Sequence, residues 1–574
     1  MAAMETDRPI FQPQRTLSVA VIGAGASGLL LAYKLQRHFS ALDLTVYERN
    51  PAVSGTWFEN TYPGCACDVP AHCYTYSFEP KTDWSANYAG SDEIRQYFTY
   101  FCARHGLDKY IRLEHQVVAA KWEDKAAQWL VTVKDLRTGS ETQTRAHVLI
   151  SATGILNKWK WPAIDGLHSF KGKLLHSAAW DSSVDLEGKT VGLIGNGSSG
   201  IQVLPAITPM AKRVVHFIRQ PTWIAPPVGE EYHRYTDGEK ERFATDPKHH
   251  LELRRATEQR MNGKFETFLS GSAAQNLARQ YVQASMQTKL ADHELADRLV
   301  PDFPFGCRRP TPGTGYLEAL REPNVHTVIG DIARVDEQGV VTADNVTQAV
   351  DVLICATGFD TSYRPSFPIV GSTGQSLSDA WATEVRGYLG LAVPGYPNFF
   401  TVLGPGCPVG NGPVLIAMEH QVGYVVRMLA KFQKEDARAF AVREEAAASF
   451  NAWADDFMRP TVWARDCRSW YKAGSASGRV VALWPGSTLH YIEAVREPRF
   501  EDWSWLPQPD ANPWAFLGNG YSSAEKRPGG DPAWYIRSHD DSPLDPCLVR
   551  HTAPFDHNLP SPVLNNDRPT KQNG

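Results

Sequence analysis

Hydrophobic residues in this chain gather into short unbroken runs. The run Leu17–Ile22 is followed by a glycine-rich stretch, a Leu- and Ala-rich segment, and a second apolar run, Leu42–Tyr47. Short apolar runs of this length predict strands buried on both faces, as in a parallel sheet. The segment between them predicts a helix. The same order returns in KTVGLIGNGSSGIQVLPAITPMAKRVVHFIRQ, residues 189–220. Two further runs, HVLI ending at Ile150 and DVLI ending at Ile354, lead into SATG and CATGFD. From Val228 to Leu299 charged residues recur at helical spacing, which predicts a helical insertion of the kind that often covers a site. The uncharged stretch Gly387–Met418 is interrupted by Gly and Pro, including VLGPGCPVGNGP. It does not read as a membrane span, but as backbone wrapped closely around a ligand. Beyond Asp510 Pro, Gly, Asn and Asp crowd together, and about the last twenty residues are expected to be disordered.

The two glycine loops carry the chemistry. In the first, Gly23 permits a tight turn, Gly25 lets a pyrophosphate approach the backbone, and Gly28 lets the helix pack on the strand. The helix N-terminus then presents free N–H groups and a partial positive charge. Glu48 ends the second strand, where a carboxylate accepts hydrogen bonds from a ribose diol. In the second loop Gly195, Gly197 and Gly200 repeat the spacing, but Arg219 stands at the strand end in place of an acid. A cation there disfavours a bare diol and favours a 2′-phosphate. One loop with an acid and one with an arginine point to FAD and NADPH.

Composition narrows the class. The 574 residues carry a net charge of -5 with no long basic run, which argues against nucleic acid. The opening MAAMETDRPIFQPQR lacks the apolar core of a signal peptide, and PTKQNG carries no lipidation or retention motif, so a cytosolic protein is expected. The nine cysteines are scattered without a CxxC pair, and Cys65 and Cys67 stand too close for a zinc knuckle. They are expected to be reduced core residues, with no metal site. A flavin disulfide reductase, which needs a redox cysteine pair, is thereby disfavoured.

Between the loops lies FKGKLLHSAAWD, in which Phe170, Gly172, His176, Trp180 and Asp181 match F-x-G-x-x-x-H-x-x-x-W followed by Pro or Asp. On these residues the chain resembles the flavin-dependent Baeyer–Villiger monooxygenases, from about Thr16 to at least Trp505. The resemblance implies an α/β fold with two Rossmann-like dinucleotide-binding domains, for FAD and NADPH, and the helical insertion. The FAD domain would comprise residues 1–155 and 350–505, the NADPH domain 156–349 with its insertion at about 228–299, and a C-terminal extension 506–574. The segment NPWAFLGNGYSSAE resembles an extension of fungal-type members.

The same resemblance assigns residues. In SGTWFENTYPGCACDVPAHCYTYSF, Thr56 and Trp57 would lie along FAD, Asp68 near its reactive face and Tyr74 nearby. In FPFGCRRPTPGTGYLEAL, Arg309 corresponds to the catalytic arginine and Arg308 to a holder of the NADPH 2′-phosphate. Trp470 would close over cofactor and substrate, and Val118, Ser198, Gln202 and Gln220 would contact cofactors. The Phe170–Asp181 fingerprint would act as hinge and clamp between the domains. The implied chemistry is hydride transfer from NADPH to FAD, formation of a C4a-peroxyflavin with O2, and attack on a ketone to give an ester or lactone. The alternative is an N- or S-oxygenating flavin monooxygenase. Two departures from the family are the loop YKAGSASGRVVALWPG, where G-x-N-x-P-G-K is common, and Ala66, where Arg is common.

Overall fold

In the computed structural model of the chain, Leu17–Ile22 lies at the centre of a five-stranded, all-parallel sheet. The structure describes residues 9–11, 15–229, 231–291, 294–407, 410–509, 512–536 and 538. The expected disorder of the last twenty residues lies outside that set. The strand order is Phe399–Thr401, Val148–Ser151, Leu17–Ile22, Leu42–Tyr47, Ile111–Arg112. Leu17 pairs with Leu42 and Ile22 with Tyr47, without a slip. A sheet covered on both faces must be apolar on both, and Val19, Ala20 and Val21 are all buried.

A second five-stranded parallel sheet runs Val325–Ile329, Arg213–Ile218, Thr190–Ile194, Val352–Cys355, Lys173–His176. Two sheets of the same grammar, each with its own glycine turn and helix, realise the two Rossmann-like folds. The changeover expected near residue 349 comes later. Val352–Cys355 still pairs within the second sheet, with Leu353 and Cys355 fully buried in the core on one face and Val352 and Ile354 in the main core on the other. The chain turns away in the CATG segment, where Gly358 has φ +84°. The FKGKLLHSAAWD segment is likewise more than a linker, since Lys173–His176 is the edge strand of the second sheet.

The helical insertion forms where the charged periodicity predicts it, as helices Asp237–Thr245, Pro247–Asn262 and Ala273–Leu290. Their starts are set by side chains. Thr236 and Glu239 make a capping box, Asp246 caps with Pro247 just inside, and Ser272 caps the third. The second helix docks on the segment after Asp68. His250 Nε2 lies 2.9 Å from His72 Nδ1, and Arg254 donates to the carbonyls of His72 and Ser77. Among the described residues no helix is long and apolar enough to cross a membrane.

By contact density the chain divides into residues 13–516, which hold both sheets, and a smaller unit of residues 1–12 and 517–574. In the smaller unit the Ile10 amide donates to the Tyr521 carbonyl, and Ser522 with Glu525 boxes a short helix, Ser523–Lys526.

The expectation that the cysteines are reduced is wrong for one pair. Cys307 and Cys467, 160 residues apart, form a disulfide with a Cα–Cα distance of 6.4 Å. Folding brings together two loops that neither spacing nor composition associates, and bridge connectivity is not readable from sequence. Cys65, Cys67, Cys73, Cys102, Cys355 and Cys407 are free and buried, as expected of core residues.

Candidate active site

The first glycine loop is built for close approach. Gly23 has φ +103°, and a Cβ on Gly28 would lie 1.9 Å from the Gly23 carbonyl oxygen, so neither position admits a side chain. Gly25 stands at the N-cap of helix Ala26–His38 and faces Gly55. No side chain caps the helix and no acid occupies its first turn, so its leading N–H groups face outward unneutralised. Glu48 is buried and accepts from the Ala24 and Asn50 amides, both at 2.8 Å. Burial raises its carboxyl above the usual range, and the two amides oppose that shift. Each oxygen keeps acceptor capacity for a diol. Val118 sits at a register shift in strand His115–Glu123, three residues past His115, whose amide bonds the Glu48 carbonyl.

The second loop repeats the arrangement. Gly195 has φ +104° and Gly200 packs on its carbonyl, while a Cβ on Gly197 would meet nothing within 4 Å. That open space lies at the uncapped start of helix Ser198–Ile207. Ser198 Oγ is 2.9 Å from Thr311 Oγ1. Arg219 is exposed at the strand end, and Gln220 Oε1 accepts from Arg308 Nη2 at 2.7 Å. Both loops fit a dinucleotide, and the second fits one with an added phosphate.

Gln202 makes bonds within the chain. Its Oε1 accepts from the Tyr62 hydroxyl at 2.8 Å and its Nε2 donates to the Ala66 carbonyl at 2.9 Å. It therefore ties the Ser198–Ile207 helix to the segment that leads to Asp68. Ala66 takes part through its backbone carbonyl.

That segment ends in the central pair. Arg309 Nε donates to Asp68 Oδ2 at 2.7 Å and Nη2 to Oδ1 at 2.9 Å, a bidentate ion pair. Burial alone would raise the Asp68 carboxyl, but the charge and N–H groups of Arg309 outweigh it and hold the carboxyl low. The guanidinium is held up by the same pairing. Two of five N–H bonds go to Asp68, and the Arg309 side chain stays 35% exposed, so the remaining donors can meet a ligand.

Aromatic residues surround the pair. Trp57 Nε1 donates to the Tyr74 hydroxyl at 3.2 Å, edge to face. Thr56 opens the short helix Thr56–Glu59 beside Gly55. Trp470 is half-buried and packs edge-on against Tyr471 at 4.7 Å. Tyr471, which sequence reasoning missed, is buried within electrostatic reach of Arg309. Burial pushes its hydroxyl up to about 12, against the pull of the arginine. Lys472 braces the loop by donating to the carbonyls of Arg465 and Ala476.

The fingerprint residues are spread around the second sheet. Phe170 is in its core, and a Cβ on Gly172 would lie 2.3 Å from the Asp351 carbonyl oxygen. His176 stacks on Trp159 with ring centroids 4.6 Å apart. Its Nδ1 accepts from the Ala178 amide, so neutral His176 carries its proton on Nε2 and donates it to Thr357 Oγ1 at 3.3 Å. Burial lowers its pKa to about 4. Trp180 packs at the edge of the main core, and Asp181 accepts from the Ser183 amide and hydroxyl at the surface.

Comparison with known proteins agrees with this geometry. The signature described as FMO-like, flavin-binding monooxygenase-like, matches residues 16–299. The "FAD-binding monooxygenase moxY" of Dothistroma septosporum is 37% identical over 92% of this chain and 88% of its own. A "Baeyer-Villiger monooxygenase" of Streptomyces coelicolor is 33% identical over 87% of this chain and 94% of its own. Among solved structures, OTEMO in complex with FAD and NADP superposes with a TM-score of 0.74 at 27% identity, over 86% of this chain and all of the other.

Proposed function

Because the chain belongs to the FAD- and NADPH-binding monooxygenases, on their fungal-type Baeyer–Villiger branch, we propose that it inserts one oxygen atom of O2 beside a ketone carbonyl. The product is an ester or lactone, and the second oxygen atom leaves as water. The observation that carries this reading is the bidentate Arg309–Asp68 pair, partly open and flanked by the two glycine cradles.

FAD belongs in the first cradle, on Gly23, Gly25, Gly28 and Glu48, along Thr56 and Trp57. NADPH belongs in the second, on Gly195, Gly197, Ser198 and Gly200, with its 2′-phosphate against Arg219 and Arg308. Bound together they supply a hydride, a reduced flavin and, from O2, an electron-rich oxygen. Everything else falls to the chain's own residues. Arg309 directs its free N–H groups at the ketone oxygen, where negative charge develops as the carbonyl carbon becomes tetrahedral. A fixed guanidinium stabilises that charge without a proton transfer, a contribution of about 2.7–4 kcal/mol to the barrier for a donor of this kind. Asp68 keeps the guanidinium in one orientation, and Tyr471 bears on it from the opposite loop. Trp57, Tyr74, Trp470 and Tyr471 are apolar walls that exclude water. His176, stacked on Trp159 and bonded to Thr357, couples the crossings between domains.

The test is a product assay with FAD-loaded protein, NADPH and 18O2 against ketones, amines and thioethers. The reading expects esters or lactones carrying one labelled oxygen. Labelled N- or S-oxides with no ester from any ketone would overturn it in favour of heteroatom oxygenation.

A further inference from the structure

The Cys307–Cys467 disulfide joins the loop that carries Arg308 and Arg309 to the loop that carries Arg468 and Trp470. Arg308 and Arg468 directly follow the two bonded cysteines in sequence. Arg308 is already fixed: Nη2 donates to Gln220 Oε1 at 2.7 Å and Nη1 to the Pro221 carbonyl at 3.4 Å, with the guanidinium 4.9 Å over the Phe303 ring. Gln220 in turn follows Arg219, and its carbonyl accepts from Asn196 of the second glycine loop at 3.0 Å. The disulfide and the Arg308–Gln220 bond thus link the three short segments that carry Arg219, Arg308 and Arg468; burial lowers the pKa of Arg308, and the positive charges of Arg219 and Arg468 lower it further. Among the described residues none of the three has a carboxylate partner, although ion pairs are numerous elsewhere. Arg308 Nε is also buried without a hydrogen-bond partner. Like charges gathered without an acid repel one another and mark a place that an anion completes.

We propose that Arg468 is a third cation on the NADPH 2′-phosphate, beside Arg219 and Arg308, and that the Cys307–Cys467 bond is what holds it there. The inference rests on the second cradle being the NADPH site and adds a residue to it that the glycine-loop pattern does not contain. Arg468 then helps set preference for NADPH over NADH. Cys307 and Cys467 are positioning residues: they act on the phosphate only through the arginines beside them.

The test uses the full FAD-loaded chain and two fragments, 2′,5′-ADP and 5′-AMP, whose binding is measured by calorimetry at two salt concentrations. Loss of one charge-assisted hydrogen bond is expected to weaken 2′,5′-ADP roughly tenfold in Arg468→Gln. 5′-AMP should be unaffected, the salt dependence shallower, and Arg468→Lys intermediate. The Cys307→Ser/Cys467→Ser variant should weaken 2′,5′-ADP with the same indifference of 5′-AMP. If wild type does not prefer 2′,5′-ADP, the assignment of the second cradle to NADPH fails. If it does and Arg468→Gln binds as wild type, the role of Arg468 is refuted while the cradle stands. An Arg468→Gln effect without any in the cysteine variant refutes the positioning role alone. Should the cysteine variant not fold, Arg468→Gln still decides the principal claim.

Discussion

Asp68→Asn separates the orientation of Arg309 from its charge. In the wild type both carboxylate oxygens accept from the guanidinium, at 2.7 and 2.9 Å. Asparagine offers one oxygen, and its amide nitrogen then confronts a guanidinium N–H. One of two charge-assisted bonds is lost, roughly 1.5–3 kcal/mol for a bond to a charged group. Removing a partner from a fully buried pair costs roughly 3–5 kcal/mol. Here Arg309 is 35% exposed and Asp68 19%, so water screens what remains. The expected loss is therefore about 2 kcal/mol, which corresponds to roughly a thirtyfold fall in kcat if it appears as lost orientation in the transition state. Neither glycine cradle is touched, so KM for NADPH should change by less than about twofold. The assay follows ester formed and NADPH consumed in parallel under saturating ketone. Asp68→Ala gives a second arm, in which added formate should restore part of the rate by standing in for the missing carboxylate. Wild-type kcat in Asp68→Asn, or an effect confined to KM for NADPH, would refute the reasoning.

Three other outcomes are expected. His147, His176, His216 and His250 are lowered to about 4, and His72 to about 3, from the ordinary 6.5, in each case chiefly by burial. The unfolded chain takes up these protons first, so stability is full above pH 6.5 and falls as pH drops through 6.5 toward 4; urea midpoints that stay constant over that interval would contradict this. Gln202→Ala removes the bonds to Tyr62 and Ala66 and should lower stability by roughly 1–3 kcal/mol, read as a lower urea midpoint. The Cys307–Cys467 bond closes a loop of 160 residues, and unfolding in the presence of dithiothreitol should come earlier by about 2–4 kcal/mol.

What was legible in the sequence follows from how local the signal is. Strands Leu17–Ile22 and Leu42–Tyr47 form with the bounds their apolar runs predict; the first is buried on both faces as expected, whereas the second buries only Leu44 and Val46 and leaves Asp43 exposed, because it lies nearer the sheet edge. The glycine turns were legible because backbone approach admits no other residue. The insertion was legible as helix from charge periodicity, but its docking on His72 through His250 and Arg254 was not, because these partners lie 178 and 182 residues from it. The partnership of Asp68 and Arg309 entered through family resemblance; 241 residues separate them. Gln202 was singled out by family resemblance as a cofactor contact, and its bonds to Tyr62 and Ala66, 140 and 136 residues away, were not legible. Tyr471 and the disulfide carried only a weak signal: a tyrosine next to a marked tryptophan, and two cysteines that each precede an arginine in marked loops.

The central claim is that Arg309 acts on oxygen insertion rather than on loading or reduction of the flavin. The most direct measurement compares wild type and Arg309→Ala in two readings on one preparation: bleaching of bound flavin by NADPH without air, and ester formed from ketone with air. The expected result is bleaching within about tenfold of wild type and ester formation lower by about a hundredfold or more. Undiminished ester formation in Arg309→Ala would contradict the claim.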